Sequence, residues 1–535
     1  MRPTLFSPFD QDLFENLRCI PVVGSAWKEQ VRKVLGTYRS LPSVLDSILD
    51  IAQSELKAKT VLIEPYISTD WADEYQAFYC RLFRDLPRLS TRLHFFRGIG
   101  EHGKPLEKKY LLDLPEECTR LESSAYLGYC VVRPFEPLTV TDTVLASPYR
   151  RDRLDSVHCQ PDFHTHLVGH ELHVRGMPFI EQEQGVSVCA EANLWMVARY
   201  MHATSNARRF RPSEMAEIAT RYLGVGTVRA GLTSTQMFGA LKAMGMNPEL
   251  IYPKNAEDAL ELLYSCVESE IPVIAAIPGH VVTVIGRSYG SGRNGFALPD
   301  SVAGFVDAFV VHDDQMGPYR TLPVRKRLTK KKVGPHSQLI LGNEPVEWCL
   351  VPMPSSRINL RESDVRGMLG TYLKKGTLLN LLKSVSGNAK LWKKSELSNL
   401  LWRIYLRRSD TFKKDIFPPA NDPRWSSDLV WRGEDVVVLY WSMLLPRYVW
   451  VVELSDKKIG YSKDASARRI IGEMVFDSTA HLDDFLNSLL AMQVKGRMIF
   501  RGAAKHVDKQ IGDARNWHYA QGLAHHEYSP LVRYY

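Results

Sequence analysis

Apolar residues in the middle of the chain recur first at helical spacing and then in short continuous runs. Four of them, spaced three or four positions apart, form one stripe: Ala190, Leu194, Val197 and Met201. This spacing predicts an amphipathic helix over Glu191 to Met201. Similar patterns predict three more helices: one opening after 212–214, one following 231–235 and one over 256–266.

The continuous apolar runs follow these helices. They occupy 271–277, 280–286 and 308–312, and a Pro278-Gly279 pair separates the first two. Short runs of this kind, bounded by turn residues, predict strands, and Pro-Gly predicts a tight turn between two of them. Because helices come first and strands second, we expect an α+β domain with a helical layer on a largely antiparallel sheet.

Patterns in the flanking parts of the chain also predict strands and helices. Residues 60–64 and 126–132 predict strands, and 71–84 predicts a helix. Near the other end, 435–439 and 448–454 predict strands, and 482–492 predicts an amphipathic helix. A length of 535 residues suits about three domains. We expect boundaries at 1–172, 173–345 and 346–535, with α/β or α+β flanking domains of unassigned role.

Composition places the chain among ordinary globular proteins. Hydrophobic residues make up 45% and charged residues 24%, and the net charge is only +8. The segment Val324 to Lys332 holds six basic residues in nine. Since no aromatic side chains interleave with these charges to stack on bases, we expect a solvated surface loop and no nucleic-acid partner.

Cysteine usage and hydropathy bear on the compartment. The eight cysteines form no CxxC pair and no disulfide-type framework. The longest strongly apolar run, 436–445, is too short to span a bilayer and ends at Pro446. The N-terminal residues contain no uninterrupted apolar segment of the kind that directs secretion. We therefore expect a cytoplasmic protein without a membrane partner.

One cysteine occupies a position suited to catalysis. Cys189 follows a non-helical stretch, 185–188, and lies at the first turn of the predicted helix, outside its apolar stripe. The free N–H groups and the positive end of the helix dipole stabilise a thiolate there. Most free cysteines are buried apolar residues, so position alone does not establish a nucleophile.

A thiol nucleophile also needs a base, a group that orients the base, and an oxyanion donor. His280 begins a predicted strand, and Asp313 and Asp314 follow the next one. Gln182 and Gln184 precede the cysteine and offer side-chain amides. We prefer Asp313, which follows its strand directly, and Gln182, while Asp314 and Gln184 remain alternatives.

Residues 173–345 resemble the papain-like cysteine peptidases, most closely the bacterial peptidases that process bacteriocin leaders. The matching segments are Pro178-Phe-Ile-Glu-Gln182, Val188-Cys189-Ala190, Gly231-Leu-Thr-Ser-Thr-Gln236, Ile271-Pro-Val-Ile-Ala-Ala-Ile277, Gly279-His280-Val-Val-Thr-Val-Ile-Gly286 and Phe309-Val-Val-His-Asp313. Two departures are Ala190, where the family commonly has glycine, and Asp314, where it often has proline.

This resemblance implies a papain-like two-layer domain that cleaves a peptide or isopeptide bond in a protein or peptide substrate. Cys189 would be the nucleophile, His280 the base, Asp313 its orienting acid and Gln182 the oxyanion donor. No cofactor and no metal are implied. The flanking domains would present the substrate, recruit a regulatory protein partner or restrain activity, and the oligomeric state is not predicted.

Three alternatives remain open from the sequence. The same site would serve a transglutaminase or acyltransferase if an amine replaced water. A non-catalytic papain-like scaffold would instead bind protein or nucleic-acid partners. Finally, six potential metal ligands occur within sixteen residues, and they are His158, Cys159, His164, His166, His170 and His173. Their spacing matches no standard zinc pattern, and alternate positions on one strand face explain His164 and His166 equally well.

Overall fold

The computed structural model describes most of the chain. The described residues are 16–37, 41–81, 86–98, 104–111, 114, 116–119, 125–134, 137–149, 156–182, 189–221, 232–290, 292–331, 334–374, 399–416, 440–456, 472–482, 485–494, 497–501 and 506–510.

The N-terminal part combines an antiparallel sheet with short helices. Its strands are β1 (Arg18–Pro21), β2 (Thr60–Tyr66), β3 (Ser90–Phe96), β4 (Tyr126–Val132), β5 (Val140–Leu145), β6 (Ser156–Val157), β7 (Asp162–Leu167), β8 (His170–Arg175) and β9 (Pro178–Phe179). Its helices are α1 (Ala26–Val34), α2 (Ser43–Asp50), α3 (Thr69–Ala77) and α4 (Glu116–Thr119). The sheet has the order β1-β2-β3-β4-β5-β9, while β7 and β8 form a separate hairpin.

The central part contains the helices and strands expected from the sequence. Its helices are α5 (Cys189–Ser205), α6 (Pro212–Arg221), α7 (Ser234–Ala243) and α8 (Ala256–Glu268). Its strands are β10 (Asn247–Ile251), β11 (Val273–Ile277), β12 (His280–Tyr289), β13 (Val306–Asp313), β14 (Gly317–Lys331), β15 (Gly334–Leu341), β16 (Glu344–Pro345) and β17 (Trp348–Met353). They pair in the order β10-β17-β11-β12-β13-β14-β15-β16, and β6 joins β12.

Both faces of the central sheet are buried, which explains why its strands appear in the sequence as continuous apolar runs. Ile274 and Ala276 of β11 pack into a core shared by α5, α6, α7 and the N-terminal sheet. Val273 and Ala275 face the opposite way, into a core shared by α8 and the C-terminal part. The central sheet is therefore the layer between the two flanking parts of the chain.

The C-terminal part forms a third antiparallel sheet. Its helices are α9 (Glu362–Leu369), α10 (Ser409–Ile416) and α11 (Phe485–Ser488). Its strands, in sheet order, are β18 (Leu400–Arg408), β19 (Tyr448–Asp456), β20 (Gly472–Asp477), β21 (Leu489–Val494), β22 (Arg497–Arg501) and β23 (His506–Gln510).

A buried ionic network joins this sheet to the central one. Glu268, at the end of α8, contacts Arg287 of β12 at 2.9 Å and Arg403 of β18 at 3.0 Å. All three side chains are fully buried. Burial opposes the charge of Glu268, but Arg287, the neighbouring His158 and Arg403 outweigh it and lower the pKa of Glu268 to about 2. The carboxylate therefore stays ionised between its two guanidinium partners.

The α+β class predicted from the sequence is confirmed. The expected boundaries near residues 172 and 345 do not separate the sheets, however. The N-terminal sheet is completed by β9, which lies beyond the first boundary, and β17, beyond the second, pairs between β10 and β11 in the central sheet. The three parts share their apolar cores across both boundaries.

Two local predictions are wrong. The basic segment from Val324 is not a loop but the outer part of β14, which pairs with β15 in a long two-stranded ribbon. Its alternation keeps Arg325 and Arg327 exposed, as expected for solvated charges, while Val324 is buried. The predicted helix over 482–492 is only a short α11 followed by β21, because 489–492 are buried on both faces between β20 and β22. The predicted strand 435–439 lies outside the described residues.

Among the described residues, no helix has the combined length and apolar character needed to cross a membrane. The seven cysteines whose side-chain surroundings the structure describes are all free thiols.

Candidate functional site

Cys189 is the first residue of α5, as the helical stripe predicts. Ala190, Leu194 and Val197 are buried, as are the residues between 192 and 198 on the other sides of the helix, whereas Cys189 remains partly exposed. The backbone N–H groups of a helix's first turn have no intrahelical acceptor, so they and the helix dipole favour negative charge at this thiol. Residues 183–188, including Gln184, lie outside the described residues.

His280 is placed by a two-residue hairpin turn between β11 and β12. Ile277 and His280 face each other at the end of the ladder, with Pro278 and Gly279 between them. Gly279 has φ +74°, a left-handed conformation that side chains other than glycine adopt only with strain. This turn therefore fixes the point at which the His280 ring leaves the sheet.

Asp313 lies at the end of the neighbouring strand β13 and meets the same ring. His280 Nε2 and Asp313 Oδ1 are 3.2 Å apart. The same oxygen accepts the backbone N–H groups of Gln315 at 2.9 Å and Met316 at 3.0 Å. Burial opposes ionisation of Asp313, but the hydrogen bonds from His280 and from these two N–H groups outweigh it and lower the pKa of the carboxyl. Asp313 is thus held as a fixed anion against the imidazole.

The imidazole itself is strongly biased toward its charged form. Burial of His280 opposes protonation, but hydrogen bonds with Asp313 and with the Cys189 side chain, and the charges of Asp313 and Asp314, raise its pKa to about 10. At neutral pH His280 is therefore an imidazolium next to the Cys189 sulfur. Such a cation favours the thiolate over the thiol, as in activated cysteine nucleophiles.

Asp314 differs from its neighbour in both distance and protonation. Its Oδ1 is 3.8 Å from His280 Nε2, and its side chain is fully buried. Burial raises the pKa of Asp314 to about 7, against the lowering effect of the His280 cation and together with repulsion from Asp313. Asp313 therefore makes the shorter contact and carries the full charge, while Asp314 is partly neutral at pH 7.

Gln182 reaches the site from the segment that completes the N-terminal sheet. The preceding residue, Glu181, exchanges hydrogen bonds with the backbone of Val140, and Gln182 N–H donates to the carbonyl of Asp314 at 3.2 Å. The Gln182 side-chain oxygen accepts from the Gln315 amide at 3.2 Å. The structure thus brings Gln182, Cys189, His280 and Asp313 to one place from three separate stretches of chain.

Two residues of this site were not anticipated from the sequence. Asn193 is fully buried, and its amide donates to the carbonyl of Cys189 at 2.8 Å and to that of Val281 at 3.2 Å, while its oxygen accepts from Thr283 at 2.6 Å. It therefore ties the first turn of α5 to β12. The signal for it was present, since a polar side chain four residues after Cys189 lies on the same side of the helix.

The second unanticipated residue is Gln315, two positions after Asp313. Its Nε2 lies 3.2 Å from the Gln182 oxygen and 3.5 Å from His280 Nδ1. The amide thus spans the space between the expected oxyanion donor and the ring nitrogen that does not face Asp313. Its position depends on the turn after β13, which no local sequence pattern specifies.

Three potential metal ligands meet at the site. His280, Asp313 and Asp314 form one of two groups of potential ligands in the described part of the chain, with ligand atoms within 4.8 Å of one another. The second group lies on the hairpin of β7 and β8.

A small cavity of about 40 Å³ lies beside the site, lined by residues that include Glu181, Glu191 and Trp195. It has room for about one water molecule. A larger cavity, of about 1070 Å³, is lined by residues that include Asp258, Arg366 and His481, and none of the four predicted site residues lines it.

No protein-family model matches this sequence. No curated protein matches it either.

Proposed function

We propose that this protein is a thiol-dependent acyl-transfer enzyme of the Cys-His-Asp type. The observation that supports this most is the single line of contacts from the Cys189 side chain to His280 and from His280 Nε2 to Asp313. A structural histidine at a strand end needs no thiol on one side and no anchored carboxylate on the other. Nucleophile, base and orienting acid are the three parts that covalent acyl transfer requires.

Within that class, we propose a papain-like cysteine peptidase that acts on a peptide or isopeptide bond of a protein or peptide substrate. The nucleophile begins a helix, and the histidine and the acid lie on adjacent antiparallel strands of a sheet that packs on that helix. This arrangement and the chain order agree with the resemblance found in the sequence. The free thiols are compatible with a reducing compartment such as the cytoplasm.

The mechanism follows from the charges at the site. The Cys189 thiolate attacks the substrate carbonyl carbon, and a carbon–sulfur bond forms as the oxygen becomes an oxyanion. The free N–H groups at the start of α5 and the Gln182 amide are the donors for that oxyanion. The His280 imidazolium then gives its proton to the leaving amine, and the carbon–nitrogen bond breaks to leave a thioester.

Water completes the cycle. Neutral His280 removes a proton from a water molecule, which attacks the thioester carbonyl. The carbon–sulfur bond breaks, the carboxylic acid product leaves, and the thiolate–imidazolium pair is restored. Asp313 keeps the ring in one orientation through both steps and stays ionised throughout.

The test compares wild type with Cys189→Ala in two assays. The first is labelling by an electrophilic thiol probe, and the second is proteomic identification of new termini in a cell extract. We expect both signals to disappear in Cys189→Ala. Cys80→Ala is the matched control, because Cys80 is an exposed free thiol without a histidine partner among its described contacts, and it should retain cleavage.

The outcomes separate the proposal from its rivals. Undiminished new termini in Cys189→Ala would refute the peptidase assignment. A probe-labelled Cys189 that yields amine adducts instead of new termini would refute hydrolysis and indicate transfer to an amine.

A further inference from the structure

The hairpin of β7 and β8 presents a group of side chains that the proposed peptidase does not use. His164 and His173 are directly opposite each other in the ladder, and their ring centroids are 4.4 Å apart. Glu171 lies two positions before His173, on the same face of β8. The pairing of the two strands brings these three residues together, although nine positions separate the first from the last in the sequence.

The donor atoms of these side chains converge. His164 Nδ1 is 2.9 Å from Glu171 Oε1, and His173 Nε2 is 3.9 Å from Glu171 Oε2. One ligand atom from each residue lies within 4.8 Å of the others. Around a tetrahedral zinc ion with bonds of about 2.0–2.1 Å, neighbouring ligand atoms are roughly 3.3 Å apart. The two contact distances, which involve the two oxygens of Glu171, lie on either side of that value.

The hairpin holds these side chains on a rigid support. Its other face, which includes Phe163, Leu172 and Val174, is buried in a core shared with the N-terminal sheet. Arg92 of that sheet donates to the Thr165 hydroxyl at 2.8 Å and to the carbonyl of His166 at 2.7 Å. The register that brings the ligands together is therefore fixed by packing and by hydrogen bonds before any ion binds.

The ligand face is open to ions in solution. The side chains of His164 and Glu171 are about half exposed, at 53% and 52%, and that of His173 is 23% exposed. His166 lies opposite Glu171 in the ladder and is also exposed. Three ligands from the hairpin thus leave a fourth position for water or for the His166 imidazole.

We propose that His164, Glu171 and His173 form a binding site for a divalent transition-metal ion, with Zn²⁺ as the best-fitting member of that class. Two imidazoles and one carboxylate are a donor set that zinc uses with an open fourth position. Binding would replace the hydrogen bond between His164 Nδ1 and Glu171 Oε1 by bonds from both side chains to the metal. The site is independent of Cys189 and stands whether or not the protein is a peptidase.

Calorimetric titration of the full-length protein with Zn²⁺ alone tests this site. The titration uses the Cys189→Ala background, so that the thiol–imidazole pair does not bind the metal. We expect one Zn²⁺ per chain at the hairpin, and His164→Ala or His173→Ala should each weaken that binding by more than about tenfold. His170→Ala is the matched control, since His170 lies on the same hairpin outside the three-ligand group, and it should bind like the parent.

A second readout is Co²⁺ absorption, which reports the geometry of the bound ion directly. A tetrahedral Co²⁺ spectrum that Zn²⁺ displaces, and that is lost in His164→Ala, supports the site. Circular dichroism establishes that each variant is folded. The proposal is overturned if the double variant His164→Ala/His173→Ala binds Zn²⁺ with the parent's stoichiometry and affinity, or if His170→Ala loses as much binding as the ligand variants.

Discussion

Replacing Asp313 by asparagine should weaken the ion pair between Cys189 and His280. The change keeps the shape of the side chain but removes the charge that faces His280 Nε2 at 3.2 Å. A hydrogen bond to a charged group contributes about 1.5–3 kcal/mol, which corresponds to roughly one to two pKa units. The pKa of His280 should therefore fall from about 10 to about 8 or 9.

The effect appears in the pH dependence of alkylation of Cys189 by iodoacetamide. In the wild-type protein His280 remains protonated at neutral pH, so the Cys189 side chain faces a cation there. In Asp313→Asn a pKa of about 8 or 9 leaves His280 mostly protonated at pH 7, so labelling should change little there, and the alkaline inflection of the alkylation profile should move down by about one to two pH units.

Asp314→Asn is the matched control. Asp314 lies farther from the ring, at 3.8 Å, and with a pKa of about 7 it is only partly charged at neutral pH. Its replacement should shift the alkylation profile less than that of Asp313. A wild-type profile in Asp313→Asn together with a large shift in Asp314→Asn would refute the assignment of Asp313 as the orienting acid.

Three further predictions concern the supports of the site and of the fold. Asn193→Ala leaves the carbonyl of Cys189 without its amide donor. It should lower the free energy of unfolding in urea by about 1–3 kcal/mol and slow thiol labelling. Unchanged values in both assays would exclude a positioning role for Asn193. Gly279→Ala should cost about 1–2 kcal/mol because alanine is strained at φ +74°, and equal stability to wild type would contradict the turn geometry. Glu268→Gln removes the charge between two buried guanidinium groups and should lower the free energy of unfolding by about 3–5 kcal/mol. Its control is Glu270→Gln, which breaks a pair of the half-exposed Glu270 with Arg407 and should lower the same free energy by less than about 1 kcal/mol.

The Glu268 network also predicts how stability depends on pH. The folded-state pKa of Glu268, about 2, lies below its ordinary value of 4.5. Its contribution is therefore complete above about pH 4.5 and is lost as the pH falls toward 2. Acid titration of the unfolding free energy should show this loss in wild type and a smaller one in Glu268→Gln.

The parts of the fold that the sequence predicts well are those with strong local signals. The apolar stripe after Cys189 predicts α5, and Pro278-Gly279 predicts the turn that places His280. Both signals act within a few residues, so neither needs knowledge of the tertiary structure. The proximity of Cys189 to His280 follows once the helix and the strand pack in one core.

The parts that the sequence does not predict depend on distant contacts. Residues 489–492 have the spacing of a helix but form β21, because neighbouring strands and both apolar faces bury them. The same holds for β17, which joins the central sheet across an expected domain boundary. Gln315 belongs to the site only through its contacts with Gln182 and His280 on other segments, so no local pattern marks it as functional.

The most direct test of the central claim is the rate at which a thiol-directed electrophile modifies Cys189 at pH 7, measured by mass spectrometry in wild type and in His280→Ala. We expect wild-type Cys189 to react much faster than the exposed thiol Cys80 of the same molecule, and we expect this difference to disappear in His280→Ala. Equal reactivity of Cys189 in both proteins would contradict the thiolate–imidazolium pair on which the proposed function depends.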